Sequence, residues 1–117
     1  NSGLFIKREA FQTVDGYPES IPLYFSDIAF GERLKMVTDH FVVVQTELCH
    51  CFSASEKIPT DAALHRYHYF CIGAFAMGEA YGPYLLYYIR AFLRGLKLSV
   101  KFKHAGFLKV FYLIAKW

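Results

Sequence analysis

The chain has 117 residues, 55% of them hydrophobic, 19% aromatic and 20% charged, with a formal net charge of +3. That length fits one domain, 1–117, and excludes a comfortable division into two, while the apolar content exceeds that of a typical soluble domain. All ten acidic residues lie before residue 80, so 1–79, with six cations, stands at −4, and 80–117 stands at +7 from Arg90, Arg94, Lys97, Lys101, Lys103, Lys109 and Lys116.

In chain order, Leu4–Val14 mixes apolar and charged residues in the manner of a first strand, closed by Asp15 and Gly16. Tyr17–Phe25, with Pro18 and Pro22, suits an extended surface segment. Ser26 or Asp27 then caps a short helix running to about Val37. Phe41–Phe52 reads as a strand, β-branched and aromatic at its start and alternating with polar residues afterwards. Ser53–Thr60 is a loop.

Thr60 and Asp61 look like the start of a helix reaching about Met77, the first as cap and the second in the favourable first turn. Pro83 suits the first position of a second helix, which ends near Gly95, and the two helices make a hairpin. Lys97–Lys103 alternates with period two: Lys97, Ser99, Lys101 and Lys103 face one way, Leu98, Val100 and Phe102 the other. His104, Ala105 and Gly106 form a turn into a last apolar strand, Phe107–Ala115. The expected fold is therefore α+β, an antiparallel sheet of three to four strands covered by a helical hairpin.

Membrane residence needs a direct test because Cys71–Ile89 holds a single charge, Glu79. Gly78, Gly82 and Pro83 interrupt that stretch and Tyr81, Tyr84, Tyr87 and Tyr88 punctuate it, so two helices meeting at a Gly-Pro joint are expected instead of a transmembrane segment. The carboxylate of Glu79, costly in apolar surroundings, is expected to pair with Arg90 or Arg94 across the hairpin.

The cationic half carries the functional expectation. Arg90 and Arg94 share a helix face with Tyr87 adjacent, and Lys97, Lys101 and Lys103 line one side of the following strand. If the helix end adjoins the strand, these groups form a ledge that holds phosphates by charge and stacks bases on Tyr87. The partner is then a nucleic acid or another polyanion, with no motif for base-specific reading. The competing expectation is a solubilising face on a protein-interaction or homo-oligomeric module.

Cys49, Cys51 and Cys71 are odd in number, and Cys49 with Cys51 is too close along a strand to pair, which points to a reducing, cytoplasmic setting. The same residues with His65 and His68 offer two further readings. A zinc site would draw Cys49 and Cys51 from the strand and two ligands from His65, His68 and Cys71 on the helix, a spacing unlike the usual paired cysteines. A thiol enzyme would use Cys49 or Cys51 as nucleophile with His65 or His68 as base. Neither outweighs close-packed core cysteines, so no catalytic residue, metal ligand or cofactor is assigned. Phosphate-binding loops, dinucleotide fingerprints and zinc-protease motifs are missing from the sequence.

Overall fold

A computed structural model describes residues 4–45, 47 and 58–116. Every regular element among them is helical: α1 (Arg8–Thr13), α2 (Ser26–Leu34), α3 (Thr60–Tyr81), α4 (Tyr84–Phe102) and α5 (Gly106–Ala115). The α3–α4 hairpin stands as expected, broken at Gly82, whose φ is +48°. The sheet does not.

Three expected strands are overturned, each for a readable reason. Lys97–Lys103 continues α4, because its alternation is too short to exclude a helix: Ala91, Gly95, Leu98 and Phe102 recur at helical spacing and pack inward. Gly95 ends nothing; it is buried against Tyr67, where side-chain space is absent. Phe107–Ala115 forms α5, with Phe107, Val110, Phe111 and Ile114 on the i, i+3, i+4, i+7 stripe that meets the core. Leu4–Val14 contains α1, whose Ala10 joins Ile6, Val14, Phe30 and Leu34 in a small satellite core. Of the fourth expected strand, 41–45 has no regular structure, and its remaining positions lie outside the described residues apart from Glu47, which is also irregular.

The main core sits among α3, α4 and α5. Tyr67, Phe70, Cys71, Ala74, Phe75, Ala91, Phe107 and Phe111 are buried there, and the rings of Phe75, Tyr88 and Phe111 meet at centroid distances of 4.8–5.9 Å. Phe75 stacks on Tyr88 and both meet Phe111 edge-on, and aromatic pairs of these kinds add about 1 kcal/mol each beyond their buried area. Small residues set how closely the helices approach: Gly78 lies under the Tyr84 backbone, and a β-carbon on it would sit 3.0 Å from the Tyr84 Cα.

The segment before α2 ties the amino-terminal part to this unit. Ile21 and Ala29 bury against Met77 of α3, while the ring of Phe25 lies 5.1 Å from that of Phe70 and 5.8 Å from that of Tyr87. Phe25 holds a left-handed φ of 69°, which is costly for a bulky residue. Burying its ring between α3 and α4 offsets that cost. Arg33 of α2 directs its guanidinium at the carbonyl of Val14, 3.3 Å away, and so closes the end of α1.

Candidate anion-binding face of the fourth helix

Helical geometry divides α4 into three faces. Ala91, Gly95, Leu98 and Phe102 turn to the core. Arg90, Arg94, Lys97 and Lys101 are all exposed and fall within about 60° of one another around the axis, a single cationic stripe along about three turns. Beside it runs an exposed apolar face of Leu85, Leu86, Ile89, Leu93, Leu96 and Val100, where Leu85 is 67% and Val100 79% accessible.

Aromatic rings below the stripe hold two of its cations. The Arg94 guanidinium carbon lies 4.0 Å from the centroid of Phe70 and 5.5 Å from that of Tyr24, and that of Arg90 lies 5.6 Å from Phe25. Such contacts contribute about 0.5–1 kcal/mol at exposed sites. They also order the head groups before any partner arrives, which lowers the entropy lost on binding. Lys97 and Lys101 extend the stripe toward the helix end.

Among the described residues no ion pair offsets this charge. α4 and α5 contain neither Asp nor Glu. The ion pairs Lys35–Glu32 and His40–Asp39 lie elsewhere, and among the described residues none reaches the four cations. Glu79 is exposed on α3 and does not make the expected pair with Arg90 or Arg94.

Of the six residues singled out from sequence, four thus share one stripe. Tyr87 does not join them: it is half-buried, edge-on to Phe25, and its face is taken by the core instead of being open to a base. Lys103 is the C-terminal cap of α4 with a left-handed φ of 50°, beyond the stripe and placed to complement the helix dipole. A helix ending at Gly95 leaves Leu96 and Val100 off the apolar face and shows it only in part. Continued to Phe102, the spacing of Leu85, Ile89, Leu93, Leu96 and Val100 displays it.

The chain matches no protein-family model, no curated protein and no solved structure.

The cysteine and histidine readings separate on the same geometry. Cys49 and Cys51, with His50, lie outside the described residues. His65 and His68 are exposed on α3, each edge-on to Tyr69, whereas Cys71 is a fully buried free thiol. Burial pushes that thiol up to about 11, with the Tyr67 hydroxyl and Arg94 pulling weakly the other way. A protonated, enclosed thiol is a poor nucleophile. Among the described residues no three His, Cys, Asp or Glu side chains gather as metal ligands. A depression of about 390 Å³ beside α1, lined by Phe11, Gln12, Asp15, Gly16 and Tyr17, offers one carboxylate and no histidine. Among the described residues no helix is long and apolar enough to cross a membrane.

Proposed function

We propose that this chain is a non-catalytic binding module that holds an extended, phosphate-bearing polyanion along the exposed side of α4. The observation that carries this reading is the alignment of Arg90, Arg94, Lys97 and Lys101 on one stripe of a helix free of acidic residues. Two guanidinium groups ordered over Phe25 and Phe70 present planar forks of N–H donors suited to phosphate oxygens, and the two lysines add point charge. With Tyr87 turned inward, charge and not base stacking supplies the affinity. A cytoplasmic setting accords with the reduced thiol of Cys71.

The test is binding to fluorescein-labelled oligouridylate and, in parallel, to phosphatidylserine-containing vesicles, each from 50 to 500 mM salt. The reading expects binding to at least one probe with affinity falling steeply as salt rises, by a log–log slope of roughly −3 for four neutralised phosphates of a single strand. Binding to neither, or binding indifferent to salt, overturns it.

A second reading, a protein-interaction or homo-oligomeric module, is favoured by the exposed Leu85, Leu93 and Val100. It expects concentration-dependent association that high salt leaves intact.

A further inference from the structure

We infer that the polyanion is the surface of an anionic bilayer, and that α4 lies in its interfacial plane with the leucine face inserted and the cationic stripe at the headgroups. The inference rests on the polyanion reading and adds the class of partner.

Charge alone is satisfied by any phosphate-bearing chain, but the apolar face next to the stripe is not. Leu85, Leu86, Ile89, Leu93, Leu96 and Val100 are exposed, and Phe92 at the border of the face is 39% accessible with its ring leaning 5.4 Å from Phe111. Nucleic acid gives exposed Leu, Ile and Val nothing to bury against. A bilayer accepts protruding aliphatic side chains without a matching surface, and helices that lie in the interface combine an apolar face with a Lys- and Arg-rich one. The long Lys97 and Lys101 side chains can rest their methylene stems on the apolar region while their ammonium groups stay at phosphate level.

A second copy is disfavoured by the same charges. Two α4 helices seamed along their apolar faces would lay the stripe of each copy beside the seam, and neither α4 nor α5 holds an acid to compensate. A folded protein partner requires shape complementarity, whereas this face is the outward, convex side of one helix with aliphatic residues that seldom act as interface anchors. Four charges along its length exclude α4 as a span, and the helix lies on the surface instead.

The experiment is co-sedimentation with vesicles of phosphatidylcholine containing 30% phosphatidylserine, with pure phosphatidylcholine and oligouridylate as parallel arms. The wild-type chain is expected to sediment with the anionic vesicles alone, binding them at least about tenfold more strongly than the neutral ones. Leu93→Gln with Val100→Gln, both at exposed positions, is expected to lower vesicle binding about tenfold while circular dichroism stays unchanged. Lys97→Gln with Lys101→Gln is expected to lower it about fivefold per cation. Leu93→Trp, in a Trp117→Phe background, is expected to shift its emission to the blue on adding anionic vesicles. Oligouridylate binding without vesicle binding overturns this inference and leaves the polyanion reading standing. Failure in every arm overturns both, and vesicle binding indifferent to the Leu93 and Val100 changes overturns insertion. Loss of a dimer, without vesicle binding, on making those two changes assigns the face to a second copy and also overturns the inference.

Discussion

The hydroxyl of Tyr67 donates to the backbone carbonyl of Ala91 at 2.8 Å, joining α3 to α4 inside the core. Gly95, one turn further on, leaves the space that this phenol fills, since a β-carbon there would collide with the hydroxyl oxygen. This contact fixes the rotation of α4 and therefore which residues it shows to solvent. Tyr67→Phe is expected to cost about 1 kcal/mol through the lost buried hydrogen bond. Gly95→Ala is expected to cost about 2 kcal/mol or more, because overlap with a close-packed ring exceeds the roughly 1 kcal/mol that Ala gains over Gly in a helix. Urea melts of the two variants measure both, and a stabilised Gly95→Ala protein would contradict the packing described.

Arg94 acts on both packing and charge. Arg94→Lys keeps the charge but loses the close guanidinium contact with the Phe70 ring, so it is expected to lower stability by about 0.5 kcal/mol and leave salt-dependent binding within about twofold of wild type. Arg94→Gln is expected to weaken binding as well. Thermal melts and anisotropy titrations on the same preparations separate the two effects.

Ser99 lies beside the core face of α4 with its hydroxyl oxygen buried and without a hydrogen-bond partner among the described residues. Ser99→Ala removes an unsatisfied polar atom and adds helix propensity, and it is expected to stabilise the fold by about 1 kcal/mol. A rise in the urea midpoint with unchanged slope is the confirming result.

Cys71 and Tyr67 make the fold sensitive to alkali. Burial raises both groups, the thiol to about 11, and the nearby Cys71 thiolate raises Tyr67 further. Below the unfolded thiol value of about 8.5 both states keep the proton, so the group leaves stability independent of pH. From there to about 11 the unfolded chain alone loses it, and stability falls as pH rises; Tyr67 adds a loss of the same sign above about pH 10. Urea midpoints between pH 7 and 10.5 are expected to decline beyond about pH 8.5, less steeply for Cys71→Ala. At pH 8, iodoacetamide is expected to label Cys71 in the unfolded protein and to spare it in the native one, as read by peptide mass.

What the sequence displays depends on how far each signal reaches. The hairpin was legible because Gly82 and Pro83 punctuate a long apolar stretch, and the charge division is visible in the residues themselves. Lys97–Lys103 was not legible as helix, since seven residues with alternating polarity satisfy a period of two and, joined to Ala91 and Gly95, a period of 3.6. Tyr87 was misplaced for a different reason. Its burial is decided by Phe25, a residue distant in sequence, held in an unusual left-handed conformation against α3 and α4. The binding stripe was half legible: Arg90 and Arg94 shared a helix face, but Lys97 and Lys101 reach the same line only once that helix is continuous.

The most direct measurement compares two double charge reversals that change net charge equally, Arg90→Glu with Lys97→Glu on the stripe and Lys103→Glu with Lys109→Glu away from it, in oligouridylate and anionic-vesicle titrations at 100 mM salt. An organised stripe predicts at least a tenfold loss of affinity for the first pair and less than a threefold loss for the second, with both proteins retaining wild-type circular dichroism. Equal losses for the two pairs would contradict it, because binding would then follow the total charge of the chain and not the arrangement of cations along α4.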